Sequence, residues 1–313
     1  MTGNPISIAG VPAARRRTTN RRGGGLRLRL PRHVPLREGL LSAFSGILLV
    51  ARRHATAASV DPKRALHDFR KSIRRARSVV ALLRPALGRT AAEGLAEELR
   101  RAFRDTGDLR DSDVLTATLA AVSGDDPELF VEAAEVAARL GANPKSADSG
   151  KIVRKALPIL RRLPAALEVI LPREYSTPDL EGGLTRSYRR SHRAWIQARD
   201  SRTDADFHEW RKRAKELRYQ VELLASTGSP ALKAREKALG ALARELGEVT
   251  DMSMLCRQIE TLAAEGGSGI ASRLLARGRA LVRERSDALL SRGGEFFSEP
   301  PRAFALKVLA ERG

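Results

Sequence analysis

Two stretches decide the fold: LHDFRKSIRRARSVVALLR, Leu66 to Arg84, and FHEWRKRAKELRYQVELLA, Phe207 to Ala225. Laid over one another at an offset of 141 residues, His67 meets His208, Asp68 meets Glu209 and Phe69 meets Trp210. Arg70 and Lys71 meet Arg211 and Lys212, Arg74 meets Lys215, and Arg77 meets Arg218. Upstream, Arg52 falls opposite Arg193. Downstream, GDLRDSDVL at Gly107 is matched by GEVTDMSML at Gly247, now 140 residues away. Three features in the same order point to two copies of one unit.

Helical periodicity sorts each stretch into two faces. At about 100° per residue from the histidine, Leu66, Phe69, Ile73, Ala76, Val80 and Leu83 span about 160° to 260°. Phe207, Trp210, Ala214, Leu217, Val221 and Leu224 take the same angles, so each copy carries a core stripe. His67, Arg70, Lys71, Arg74 and Arg77 fall on the opposite face, as do His208, Arg211, Lys212, Lys215 and Arg218, with Tyr219 among them. Like charges on consecutive turns repel by a few tenths of a kcal/mol per pair, roughly. A solvated face normally mixes signs, whereas these ridges are largely unrelieved in both copies. Two such ridges facing across a groove would focus their fields on an anionic chain that supplies the missing negative charge.

The whole chain repeats that bias. Its 313 residues carry 57 Lys and Arg against 37 Asp and Glu, a net charge of +20. Seven arginines before residue 31 have no acid among them, so the remaining 283 residues keep +13. We read residues 1–30 as a basic disordered tail, since the mildly apolar PISIAGVPAA precedes its arginines, the reverse of secretory-signal order. No apolar stretch approaches the ~20 residues of a membrane span. The single cysteine, Cys256, reads as a buried small residue, excludes an internal disulfide and fits a reducing compartment. A cytoplasmic location is expected.

Aromatics make up only 4% of the chain and alternating strand patterns are scarce, so the fold class is all-α. Helices are expected near 36–57, 62–84, 90–105, 112–122, 127–140, 148–171, 180–199, 204–226, 230–246, 251–264, 269–291 and 302–311. Pro158 and Pro164 should kink or break the sixth. Gly141–Gly150 reads as a linker. The first half is placed at about 31–145 and the second at about 178–313, with a helical connection over 146–177. Asp111 and Asp251 each follow a glycine-containing turn and read as helix N-caps or as partners of a nearby arginine. LTRSYRRSHRAWIQAR, from Leu184, adds a helix with Arg186, Arg189, Arg190 and Arg193 at spacings that let most reach one groove.

Histidine, cations and aliphatics in this order, twice over, resemble the CHAD family, the conserved histidine α-helical domain. The resemblance rests on HDFRKSIRRAR at His67 and HEWRKRAKELRY at His208, with GDLRDSDVL and LGEVTDMSML as the turns that follow. It spans roughly Pro31 to Arg312, and the second signature is the more typical. It implies two pseudo-symmetric helical bundles whose basic helices line a central groove or pore. It further implies binding of inorganic polyphosphate without catalysis, with no cofactor, and association with polyphosphate granules. Relatives that carry an attached triphosphate-tunnel domain add a β-barrel, which nothing here resembles, so a stand-alone type is implied. The binding residues expected are His67, Arg70, Lys71, Arg74, Arg77, Arg52, Arg186, Arg189, Arg190, Arg193, His208, Arg211, Lys212, Lys215, Arg218 and Tyr219.

Other readings fare worse. Arginine grips phosphate in any polymer, so nucleic acid stays in contention and the basic tail can contact it non-specifically. Stacking platforms are sparse, though: Tyr188, Trp195 and Tyr219 are the few aromatics near the basic helices. A metal held by His67 and His208 would sit in a cationic shell, and no HxxxH or HExxH spacing exists. No GxSxG or phosphate-cradling glycine loop supports catalysis, so the chain is not expected to be an enzyme. His33, His54 and His192 match nothing and read as surface residues.

Overall fold

The computed structural model describes residues 30, 34–57, 62–104, 112–141, 149–225, 229–265 and 271–312. They form α-helices and no strand: α1 (Leu36–Ala57), α2 (Pro62–Leu87), α3 (Arg89–Arg104), α4 (Ser112–Ser123), α5 (Pro127–Gly141) and α6 (Ser149–Arg154), followed by α7 (Leu157–Ile170), α8 (Thr177–Ser201), α9 (Asp204–Leu224), α10 (Pro230–Ala264), α11 (Ser272–Phe296) and α12 (Pro301–Arg312). The expected linker core, residues 142–148, the turn around Arg110 and Asp111, His33, and all of the tail but Leu30 lie outside the described residues. Leu30 itself is fully buried, and its N–H donates to the Leu223 carbonyl at 3.0 Å. Chain assigned to the tail thus already docks on the end of α9.

The core is built on α2 and α9. Helix α2 packs against α1, α3, α8 and α9, while α9 packs against α8, α10 and α12. Every residue of both expected stripes is buried, with Phe69 and Trp210 at zero exposure. Burying one large apolar side chain contributes about 1.5–3 kcal/mol, so the two stripes anchor the bundle. The helices meet through polar groups as well. Arg75 of α2 forms an ion pair with Glu222 of α9, and Gln220 Nε2 donates to the Ser78 carbonyl at 3.0 Å. These bonds cross the interface between halves that lie far apart in sequence.

Two local departures from the sequence reading have clear causes. The sixth expected helix breaks at Lys155–Ala156, just before Pro158, while Pro164 is accommodated within α7. The expected turn around Gly247 is instead the middle of α10, which runs 35 residues without interruption. Thr250 Oγ1 donates back to the Leu246 carbonyl at 2.6 Å, as a threonine inside a helix does. Asp251 is therefore no N-cap; it is the arginine partner the alternative reading named.

Closest approach between α2 and α8 falls at a glycine. A Cβ placed on Gly183 would sit 2.0 Å from the Leu82 carbonyl oxygen, so the backbones touch with no side chain between them. Gly183→Ala should destabilise the fold by more than the ~1–3 kcal/mol typical of overpacking, read from urea unfolding. Gly94→Ala in α3 meets nothing within 4 Å and should stabilise by roughly 0.5–1 kcal/mol through helix propensity alone. Equal effects of the two substitutions would mean that α2 and α8 are not in backbone contact.

Candidate functional site

The polar faces of α2 and α9 border one groove of about 550 Å³. Helix α2 supplies His67, Arg70, Arg74, Arg77 and Ser78; α9 supplies His208, Arg211, Lys212, Arg213, Lys215, Glu216 and Tyr219. Phe103 of α3, Val114 of α4, and Asp251 and Met254 of α10 complete the wall with Leu66. Seven Lys and Arg side chains thus line the groove against two carboxylates, Glu216 and Asp251.

Several of these cations are held in place. The Arg70 and Arg74 guanidiniums lie over the Phe103 ring, 5.0 and 5.5 Å from its centroid, a cation–π arrangement. Arg211 Nη1 donates to Thr250 Oγ1 at 2.7 Å and to Asp251 Oδ1 at 3.0 Å. Its guanidinium lies flat on Gly247, where an added Cβ would come within 3.2 Å of Nη2. That contact explains the glycine better than a turn does. Glu216 accepts from Arg190 Nη1 at 3.2 Å and from Arg213 Nη1 at 3.3 Å, tying α8 to the groove wall.

Lys215 has the most perturbed charge in the groove. Burial pulls its pKa down from 10.5 to about 7, aided by Arg211, Arg74 and Arg218 and opposed by Asp251. Burial is also the main cause holding Arg77, Arg186 and Arg190 below the usual guanidinium range. Arg77 feels Arg100, Arg213 and Arg74 besides.

A model of the CHAD domain matches residues 46–260. The chain belongs to the CHAD family. The crystal structure of the CHAD domain from the plant Ricinus communis is similar in fold, with a TM-score of 0.57 at 22% identity, covering 86% of this chain and 94% of that one. No curated protein sequence matches. The whole groove lining, Leu66 to Met254, lies inside the matched CHAD segment.

Nine of the sixteen residues expected in the site line this CHAD groove: His67, Arg70, Arg74, Arg77, His208, Arg211, Lys212, Lys215 and Tyr219. Lys71 and Arg218 sit beside it; Lys71 is half-buried and feels Arg75, Glu222, Asp68 and Arg218. Arg186 and Arg190 extend the cationic seam toward α8, next to Arg84, Arg213 and Glu216. Arg189 and Arg193 are not brought in, since both lie on the exposed face of α8. Arg52 is elsewhere, in a groove of about 380 Å³ with Arg53, Thr56 and Arg161. The match of Arg52 to Arg193 by offset thus does not place either on the α2–α9 groove.

Sequence reasoning missed Arg213, Glu216 and Phe103. Arg213 belongs to a Glu209–Arg213–Glu216 run at i, i+4 and i, i+3 spacing, the legible signal for a held arginine. The aromatics named as stacking candidates are occupied. Tyr188 is fully buried, and its ring stacks 4.4 Å from that of Phe304. Tyr219 is buried, with Arg75 and Arg218 over its ring. Trp195 Nε1 donates to the Leu290 carbonyl at 3.0 Å. His192 stacks on Trp195 and Phe297, and burial lowers its pKa and that of His54, so neither is a plain surface residue. Cys256 is buried, as expected.

Among the described residues, no group of three or more His, Cys, Asp or Glu side chains is arranged to hold a metal, and no helix is long and apolar enough to cross a membrane.

The perturbed Lys215 gives a pH signature. Its folded-state pKa lies below its unfolded one, so the unfolded chain holds more protons between about pH 7 and 10.5 and stability rises with pH there. Below about 7 the native state carries the full cost of the charged amine. Lys215→Met should therefore be most favourable relative to wild type at acidic pH, with the difference shifting toward wild type as pH climbs through that window. Urea unfolding of both proteins at a series of pH values measures this; a difference flat with pH would refute the perturbed amine.

Proposed function

We propose that the α2–α9 groove binds inorganic polyphosphate and does so without catalysis. The observation that carries this reading is the lining: seven Lys and Arg side chains and two histidines from two helices, against two carboxylates. Guanidinium groups match phosphate oxygens bidentately, and part of the set is already oriented by Phe103, Thr250 and Asp251. Polyphosphate carries a charge at every phosphorus and nothing else to recognise, which suits a groove with seven Lys and Arg side chains in its lining. Membership of the CHAD family supports the choice of polyphosphate over other polyanions. A cytoplasmic setting and contact with polyphosphate granules belong to the same proposal, as does a two-fold relation between the halves.

Nucleic acid is the rival of the same charge. Guanidiniums already lie over the rings of Phe103 and Tyr219, which disfavours these two as base-stacking platforms. We reserve for the basic tail any non-specific contact with nucleic acid.

If both walls grip one chain, neutralising Arg70, Arg74 and Arg77 should weaken binding about as much as neutralising Arg211, Lys212 and Lys215. Each charge-assisted contact is worth about 1.5–3 kcal/mol, so either triple change should cost more than about a hundredfold, and the six-fold change should abolish binding. Titration with long-chain polyphosphate, alongside single-stranded and duplex nucleic acid at equal phosphate, reads this out, with circular dichroism checking the helices. Loss from one wall alone would sink the shared groove. Equal or tighter binding of nucleic acid would sink the choice of ligand.

Binding should also weaken linearly in log affinity against log salt, because neutralised phosphates release condensed counterions. Deleting residues 1–29 should leave the affinity largely intact. An affinity indifferent to salt, or lost with the tail, would place the binding outside the groove.

A further inference from the structure

The amine of Lys215 stands apart from the other lysines in its surroundings. Lys212, one turn earlier, is exposed and paired with Glu209 at 2.6 Å. Lys71 has both Glu222 and Asp68 among its electrostatic neighbours. Lys215 is half-buried and lines the groove together with Arg74 of α2 and Arg211 of its own helix, and it feels the charge of Arg218 as well. Asp251 of α10, a carboxylate that favours its charged form, is already engaged by Arg211. Desolvation beside other cations is the arrangement that makes a lysine amine nucleophilic at neutral pH.

We propose that Lys215 is an acylation site for small acyl phosphates. The groove's guanidiniums hold the phosphate group of such a molecule, which brings its carbonyl to the amine. For the attraction of the phosphate this rests on the polyanion reading of the groove; for the reactivity of the amine it rests on the local cluster alone. The lone pair of Nζ attacks the acyl carbon and a C–N bond forms. The bond from that carbon to the bridging oxygen breaks, and inorganic phosphate leaves with the electron pair. The surplus proton on nitrogen passes to solvent or to the departing phosphate. The amide left behind carries no charge and cannot regain one, so acylation removes one cation from the groove and weakens its hold on a polyanion.

The supporting state of the amine is its pKa of about 7. An ordinary lysine at about pH 7.5 is neutral in only about one molecule in a thousand, whereas Lys215 is largely neutral there. The test uses the full chain, acetyl phosphate as the reagent, and mass spectrometry to follow each lysine with time. Lys215 should be acetylated at least about tenfold faster than the exposed Lys155, Lys233 and Lys237 at about pH 7.5. Its rate should level off above about pH 8 while theirs keep rising. Tripolyphosphate should slow Lys215 alone, and Lys215→Arg should remove the fast site. Labelling of Lys215 no faster than at the exposed lysines, or a rate that rises with theirs up to about pH 10, overturns the proposal. Fast acetylation of Lys215 in a chain that fails to bind long-chain polyphosphate would leave the acylation site standing and sink the polyphosphate reading. Tight polyphosphate binding with no preference at Lys215 would do the reverse.

Discussion

Everything in this fold turns on setting two cationic helices side by side. Two unit charges about 8 Å apart repel by about 2 kcal/mol at an effective dielectric constant of about 20, and α2 and α9 each bring several to the same groove. What holds them together lies beneath the ridges. The apolar stripes of both helices enter one core, the buried Arg75–Glu222 pair crosses the seam, and Gln220 reaches the Ser78 backbone. Removing one partner of such a buried pair leaves an uncompensated charge. The polar crossing therefore fixes which turns of α2 and α9 lie opposite one another, and so which cations share the groove.

The same constraint decides how mobile those cations are. Lysine and arginine side chains carry about 2 kcal/mol of rotamer entropy, which a ligand would otherwise have to take away. Here Phe103 supports two guanidiniums, Asp251 and Thr250 hold a third, and Glu216 holds Arg213. The two lining carboxylates do not cancel the positive field so much as aim the arginines that create it. Gly247 serves the same end from α10, since a Cβ there would press on the Arg211 guanidinium.

Much of the fold could be read from period and punctuation. Helices α1 to α5, α8, α9 and α12 lie within a few residues of their expected places because their apolar positions recur at helical spacing between prolines and glycines. Periodicity gives a stripe, however, and not the number of neighbours. Ser72, Ser78, Gln220 and Glu222 are buried although they lie off the stripe, because α2 and α9 are each surrounded by more than one helix. In α10, a Gly, a Thr and an Asp in succession read as a turn; the close contact with Arg211 that explains the glycine is invisible before the partner helix is placed. The residues expected on α2 and α9 that line the groove were legible because they share a helix with the core stripe that orients them. Arg189, Arg193 and Arg52 were not, because sequence offset says nothing about how one helix is rotated against another.

The overlay of the two signatures sets Arg74 against Lys215, and in the fold these side chains are close enough for Arg74 to depress the lysine's pKa. The difference in residue type has a physical consequence. A guanidinium stays charged at any physiological pH, so an arginine at position 215 would add permanently to the self-repulsion of an empty groove. A lysine can give up its proton to the solvent and relieve that repulsion while the groove is vacant. An anion entering the groove would favour the protonated form again, so the charge would return with something to hold. Proton release is thus a way for seven cations to share one groove without a full complement of carboxylates. On the acylation proposal, the position best suited to loading a charge is also the one most open to losing it by covalent chemistry.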